Sequence, residues 1–197
     1  MEQCLSIQMY EEDPMLYEQF KVRAEGVSAE VTRYATKNEA LEHLLQFLHK
    51  EGLADTPQST ALWAECSFLD GMDRSELTKN AGLTFEVTRE LSAQARFGIS
   101  QMEWALADTG SLAQNSTAIE QRLVSSLPSI HIALAPTNGI LPDMPTLLSR
   151  VHPQECAYLA MITGPSRTAD IERVLTIGVH GPDRLIIIFV DELGGDN

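Results

Sequence analysis

One stretch of this sequence concentrates the side chains whose chemistry suits a small ligand. Residues 162–182, ITGPSRTADIERVLTIGVHGP, carry Arg167, Asp170 and His180 between two Gly-Pro corners. The guanidinium of an arginine offers a planar fork of donors to a carboxylate or phosphate. An imidazole changes its protonation near neutral pH and can act as acid, base or donor. The combination predicts a compact site for a small anion.

The local pattern predicts how these donors are held. Gly164 turns the chain after an apolar strand, and Ser166 or Thr168 begins a helix that runs to about Thr176. The first N–H groups of a helix that follows a glycine turn bind anions. A second interpretation stays open. Asp170 in the first turn satisfies the same N–H groups and pairs with the nearby arginine, which makes the corner structural.

The other motifs exclude several kinds of cofactor. Cys4, Cys66 and Cys156 are far apart and have no Cys-x-x-Cys spacing, so they encode neither an iron–sulfur cluster nor a structural zinc site. No histidine spacing supports a metal. The glycine fingerprints of dinucleotide and phosphate loops are missing from the sequence. We therefore predict no metal and no cofactor in this chain.

The net charge of the chain restricts the kinds of partner that it can bind. Fourteen basic residues against 28 acidic ones give a formal net charge of −14. This charge argues against non-specific binding to nucleic acid or to an anionic membrane surface. The longest apolar run, residues 185–190, is too short to span a bilayer, and the N-terminus does not have the pattern of a signal peptide. These features predict a soluble, cytoplasmic protein.

Hydrophobic spacing predicts alternating strands and helices, and hence an α/β fold with a mostly parallel sheet and helices on both faces. Thr36 and Glu39 have the spacing of a capping box ahead of a leucine stripe that ends at Gly52. Two further capping-box spacings predict helices over 100–110 and 117–128. The predicted strands are 27–35, 59–65, 82–88, 129–135, 157–163 and 184–192, and the other predicted helices are 13–25 and, weakly, 70–81.

Ligands of such sheets bind at loops that follow the carboxyl ends of strands. This rule selects the loops 107–111, 163–168 and 178–182, which we expect to meet at one edge of the sheet. His131 alternates with its apolar neighbours in 129–135, so it points to the opposite face. It either approaches the ligand edge or is a buried imidazole. We divide the chain into a helical segment (1–27) packed on the main domain, an α/β domain (28–192) and a frayed tail (193–197).

Three segments carry a family resemblance: 96–112 (RFGISQMEWALADTGSL), 122–134 (RLVSSLPSIHIAL) and 162–192. They resemble the LUD domain, and most of all the lactate-utilization protein C family, across about residues 15–192. The resemblance implies a three-layer α/β sandwich of the NagB/RpiA/CoA-transferase type. It also implies a component of a bacterial system that oxidises L-lactate to pyruvate with iron–sulfur partner proteins, which would hold the clusters.

The resemblance also strengthens the site hypothesis. It supports a site at His180 and Asp170 but assigns no chemistry to them, and their catalytic roles are our own hypothesis. The ligand-binding residues that it implies are Thr109, Gly110, Arg122, His131, Gly164, Ser166, Arg167, Thr168 and Gly181.

Two other functions stay open. One is a stand-alone enzyme acting on a phosphorylated or CoA-linked small molecule, by analogy with the fold. A CoA-transferase route needs a glutamate nucleophile, but Glu103 and Glu120 both have the spacing of helix caps. The other is a ligand-sensing module without catalysis. The predicted partners are iron–sulfur subunits and a small anionic metabolite, and a homo-oligomer is left open.

Overall fold

The structure is a computed structural model that describes residues 14–152, 154, 156–165, 167–169, 175–177 and 181–194. The helices are α1 (Pro14–Gly26), α2 (Lys37–Lys50), α3 (Arg74–Leu77), α4 (Arg89–Gln94), α5 (Ile119–Ser126) and α6 (Met144–Arg150). The strands are β1 (Glu30–Tyr34), β2 (Ala61–Trp63), β3 (Leu83–Thr84), β4 (Phe97–Gln101), β5 (Trp104–Leu106), β6 (Ser111–Asn115), β7 (Ile130–Pro136), β8 (Ile140–Leu141), β9 (Leu159–Ile162), β10 (Arg167–Ala169), β11 (Leu175–Ile177) and β12 (Arg184–Val190).

A six-stranded sheet forms the centre, in the order β1-β12-β7-β4-β2-β3. Each neighbouring pair in it is parallel. Every residue of β7 is buried, and so is every residue of β12 after Arg184. Parallel strands buried on both faces are rich in apolar residues, which is why 129–135 and 184–192 were recognisable. A mostly parallel α/β sheet is confirmed.

Two apolar layers cover this sheet. On one face, Leu44 and Leu48 of α2 pack with Ile132 and Ile188. On the other, Phe20 of α1 packs among the remaining side chains of β7 and β12. Burying such a side chain contributes about 1.5–3 kcal/mol. The two covered faces give the three-layer arrangement that the sequence predicts.

The capping box of α2 is present. The side chain of Thr36 accepts from the N–H of Glu39, and the side chain of Glu39 accepts from the N–H of Thr36. The box predicted at 117–120 does not form, although the helix does. Thr117 Oγ1 instead donates to Asn115 Oδ1 at 2.7 Å, and Ala118 is the N-cap residue of α5.

A second sheet packs on the α1 side, in the order β8-β5-β6-β9. β6 pairs antiparallel with both β5 and β9. The helix predicted over 100–110 is therefore wrong, because these residues form the end of β4 and the whole of β5. The segment contains good helix formers, but strand partners on either side outweigh that local preference.

The helix predicted from about Thr168 to Thr176 is also wrong. Arg167–Ala169 and Leu175–Ile177 are two strands that pair antiparallel. A nine-residue segment rich in β-branched side chains has too weak a helix preference for sequence to decide its structure. β9 is a strand, as predicted for 157–163, but it is not covered on both faces, because all four of its residues keep some exposure.

Within the described part of the chain, no helix has the length and apolarity needed to cross a membrane.

Candidate functional site

The structure brings two of the three predicted loops together. Residues 107–110 join β5 to β6, Ser111 is the first residue of β6, and Thr163 follows β9. The hydroxyl oxygens of Ser111 and Thr163 lie 2.6 Å apart, within hydrogen-bond distance. Of the third loop, only Gly181 and Pro182 are described.

Two glycines at this junction pack against the last turn of α1 and the residue that follows it. Gly110 and Gly164 both have φ of +69°, a left-handed conformation that favours glycine. A Cβ atom on Gly110 would lie 2.4 Å from the backbone nitrogen of Ala24. A Cβ atom on Gly164 would lie 2.7 Å from the carbonyl oxygen of Val27. Close packing therefore accounts for both glycines.

The position of this junction corrects the edge that the sequence predicts. Val27 lies three residues before β1, so the two loops border the amino end of the parallel sheet rather than its carboxyl end. The rule about carboxyl ends applies to parallel strands. The loops at Gly110 and Gly164 instead follow strands of the second sheet, which pair antiparallel through β6.

Arg122 lies away from the junction. Its Nη1 donates to the carbonyl oxygens of Ser116 and Thr117, and its guanidinium lies 4.8 Å from the ring centre of Tyr158. These residues follow the far end of β6, about 13–16 Å along the strand from Ser111. Gly110 and Arg122 are therefore at opposite ends of β6, and the structure does not bring them together.

His131 lies inside the molecule. Its side chain is fully buried, and Nε2 is 2.8 Å from Oγ of Ser100 on the neighbouring strand β4. Nδ1 has no hydrogen-bond partner among the described residues. Burial lowers the pKa of His131 to about 3. Of the two positions that the sequence leaves open for His131, the structure shows the buried one, and the ring is neutral at physiological pH.

The remaining predicted residues are only partly described. Ser166, Asp170 and His180 lie outside the described residues. Arg167 and Thr168 belong to β10, where they pair with Ile177 and Thr176. The sequence predicts that residues 166–168 form the first turn of a helix and present its free N–H groups. Arg167 and Thr168 have extended backbone instead, so they do not provide these helical donors. Thr109 is exposed beside the loop junction.

The carboxyl edge of the parallel sheet carries polar groups that the sequence reading missed. Oδ1 of Asp191 accepts from Nε of Arg33 at 2.7 Å and from Oγ1 of Thr137 at 2.6 Å. Burial alone would raise the pKa of the Asp191 carboxyl, but the two hydrogen bonds and the Arg33 charge lower it overall. Asp191 directly follows the apolar run of β12, and this position is the signal that could have identified it.

An open depression of about 480 Å³ lies beside this edge. Tyr34 and His43 both line it, and the centres of their rings are 5.0 Å apart. Its lining residues are Arg33, Tyr34, Ala35, Glu39, Glu42, His43 and Gln46.

Glu103 is also at the carboxyl edge, and its predicted role as a helix cap is wrong. It lies between β4 and β5, and its Oε2 accepts from the backbone N–H of Asn115 at 2.7 Å.

Gln114 of β6 links the second sheet to the parallel sheet near Glu103. Its Nε2 donates to the carbonyl oxygen of Gln101 at 2.7 Å and to Oε1 of Gln121 at 3.0 Å.

In the described ranges, no group of three or more His, Cys, Asp or Glu side chains has an arrangement that could hold a metal ion.

Comparison with known proteins supplies the family. The model of the LUD domain matches residues 17–190. Proteins named Lactate utilization protein C are similar to part of the chain. The protein from Exiguobacterium sp. is 34% identical over 114 residues, which are 55% of this chain and 50% of that protein. The protein from Bacillus subtilis strain 168 is 39% identical over 106 residues, 50% of this chain and 44% of that protein.

The matched region thus spans about half the length of these curated relatives. Among solved structures, a DUF162 family protein from Deinococcus radiodurans superposes with a TM-score of 0.58 at 19% identity, covering 89% of this chain and 96% of that one. That likeness supports the three-layer α/β fold. Since the family model covers most of the sequence, the chain belongs to the LUD domain family.

Proposed function

We propose that the chain is a component of a bacterial lactate utilization system, which oxidises L-lactate to pyruvate together with iron–sulfur partner proteins. The observation that carries the proposal is its similarity to proteins named Lactate utilization protein C. Removing electrons from lactate needs an acceptor. No cysteine spacing in this sequence suits a cluster, so a partner protein supplies the electron path.

Affinity purification from the native host tests this role. The tagged chain is isolated from cells grown on L-lactate and from cells grown on another carbon source. Proteins with bound iron–sulfur clusters are expected to co-purify from the lactate culture. Deleting the chromosomal copy should slow growth on lactate and leave growth on the second carbon source unchanged. Normal growth on lactate without the chain would contradict the role.

We further propose that the segments 163–168 and 178–182 bind a small carboxylate, with Arg167 as the main donor. The contact between Ser111 and Thr163 supports this proposal, because it places the loop 107–111 beside the start of the first segment. Gly110 and Gly164 then support the base of the site through their packing. His180 and Asp170 are the proposed acid–base pair, and Ser166, Thr168 and Gly181 complete the lining.

Calorimetric titration with L-lactate and pyruvate tests the donor. Arg167→Ala should weaken binding about ten- to a hundredfold, because a charge-assisted hydrogen bond contributes about 1.5–3 kcal/mol. Arg167→Lys should recover part of the affinity, since an ammonium lacks the planar fork. Arg122→Ala is the matched control, because Arg122 lies at the other end of β6, and it should leave binding unchanged. Unchanged affinity in Arg167→Ala would contradict the proposal that Arg167 binds the ligand.

The position of Glu103 favours a second candidate, a transferase acting on CoA thioesters. A carboxylate at the carboxyl edge of the sheet is the nucleophile that such a route needs, and Glu103 stands there. The test is transfer of CoA from an acyl-CoA to an acceptor carboxylate, which releases the donor as its free carboxylate and forms the thioester of the acceptor. Transfer that is lost in Glu103→Gln would support this candidate, and no transfer by the unaltered chain would exclude it for the donor and acceptor tested.

A further inference from the structure

β9 forms one edge of the second sheet. Among the described residues, it pairs with β6 and with no other strand. The first four residues of β6 are buried, whereas all four residues of β9 keep some exposure. Met161 in the middle of the strand is 38% exposed, and Tyr158 just before it is 52% exposed.

The ladder with β6 determines which backbone groups face the open side. The N–H of Ser116 donates to the carbonyl oxygen of Tyr158 at 2.8 Å. Hydrogen-bonded pairs alternate along an antiparallel ladder, so Ala160 and Ile162 also direct their N–H and C=O groups to β6. Leu159 and Met161 therefore direct theirs to the open side of the strand.

The edge segment itself contains no charged residue that would protect it. Proteins commonly block edge strands with lysines, prolines or bulges, because an unpaired edge is a template for another strand. Residues 157–163, AYLAMIT, contain no charged residue, although 21% of the chain is charged. β1, the edge strand of the parallel sheet, shows the contrast, because it carries both Glu30 and Arg33.

We propose that β9 pairs antiparallel with β9 of a second copy of the chain, so that the two second sheets become one continuous sheet. In this register Ala160 faces Ala160 of the second copy across a two-fold axis. Leu159 then exchanges backbone hydrogen bonds with Met161 of the second copy, because these are the residues whose polar groups face outward.

The lack of charge on 157–163 favours a second copy over a basic partner strand. A net charge of −14 makes two copies repel each other over most of their surfaces, and an uncharged edge is where that repulsion is weakest. A basic strand would find no carboxylate on 157–163 to pair with. Identical strands also meet in a self-complementary register without further requirements.

Light scattering after size exclusion tests the proposal on the full chain. The unaltered chain should elute with twice the monomer mass of 21.8 kDa and dissociate on dilution. Met161→Pro removes the backbone N–H of residue 161. Because this N–H faces away from β6, the hydrogen bonds with β6 are retained. This change removes half of the hydrogen bonds between the copies and should raise the dissociation constant at least about tenfold.

A second pair of variants keeps the test independent of proline strain. Met161→Lys places a charge on the edge and should also give monomers. Leu148→Lys is the matched control, since Leu148 is 58% exposed on α6, and it should leave the dimer intact. Circular dichroism checks that each variant is folded. A monomer at every concentration of the unaltered chain, or a dimer that survives both Met161 changes, would overturn the proposal.

Discussion

At the scale of single residues, His131 shows how a sequence pattern can identify a face without identifying a function. Alternation in 129–135 correctly places its side chain opposite Ile130 and Ile132. The sequence does not show what covers that face. In the structure, Gly98 lies beside His131 in register, and α5 approaches so closely that a Cβ on Gly98 would meet the carbonyl oxygen of Val124 at 1.9 Å. The imidazole is therefore part of the interior.

The buried imidazole should make stability depend on pH. The pKa of His131 falls from 6.5 to about 3 on folding, so below pH 6.5 the unfolded chain binds a proton that the folded chain does not. This contribution to stability is complete above pH 6.5 and is lost as the pH falls toward 3, by up to about 1.4 kcal/mol per pH unit.

His131→Gln removes this titration and should flatten the fall of the free energy of unfolding below pH 6.5, as measured by urea denaturation. His49→Gln is the control, because His49 is exposed on α2, and it should keep the slope of the unaltered chain. Equal slopes in the unaltered chain and in His131→Gln would show that His131 does not titrate on unfolding.

Gly110 supports a second prediction at this scale. Gly110→Ala should destabilise the fold by more than about 1–2 kcal/mol, because the new methyl group adds an overlap with the Ala24 backbone to the strain of the left-handed conformation. Gly71→Ala separates the two effects. Gly71 has φ of +80° but open space around its Cβ position, so its variant carries strain alone. Equal losses of melting temperature in both variants would contradict the packing role.

At the scale of elements, the sequence predicted the parallel strands well and the second sheet poorly. β7 and β12 are continuous or alternating apolar runs, so their sequences alone predict that they are buried strands. β5 and β6 are short and their residues also suit a helix. Their conformation depends on strands distant in sequence, such as the pairing of Met161 with Ala113. Periodicity within one segment contains no information about such a partner.

The same limit explains why the sequence did not predict where the candidate site lies in the fold. The sequence predicted that the loops 107–111 and 163–168 lie close together, and Thr163 does lie within hydrogen-bond distance of Ser111. The edge was predicted wrongly because the rule for carboxyl ends needs to know which sheet a strand joins. The carboxyl-edge cluster of Arg33, Thr137 and Asp191 was missed because its members are far apart in sequence and form no motif.

Arg184 joins three elements at the amino edge of the parallel sheet. It pairs with Glu30 of β1 at 2.8 Å and with Glu51 after α2 at 3.0 Å, and its guanidinium lies 5.4 Å from the ring centre of Phe47. Arg184→Met should lower the free energy of unfolding by about 1–2 kcal/mol, because two partly exposed pairs and a ring contact are lost together.

Lys79→Met is the control for this substitution. Lys79 and Glu76 form an exposed pair within three residues, and such local pairs contribute little. Chemical denaturation of both variants measures the difference. A loss in Arg184→Met no larger than in Lys79→Met would show that the amino-edge pairs do not hold the elements together.

At the scale of the whole molecule, the net charge of −14 is the dominant feature of the surface. Like charges repel across the folded chain, and dissolved salt screens that repulsion. The melting temperature should therefore rise by a few degrees when sodium chloride is raised from a low to a physiological concentration. The opposite sign would be expected if attractive pairs such as Arg184 with Glu30 dominated the surface.

A charge variant separates screening from other effects of salt. Glu18, Glu86 and Glu120 are exposed, and no ion pair within the described residues includes them. Changing all three to glutamine takes the net charge from −14 to −14 + 3 = −11. The variant should melt higher than the unaltered chain at low salt, because less repulsion remains, and should gain less from added salt. If both chains gain equally, the rise comes from general salt effects on the apolar core rather than from screening of the surface charge.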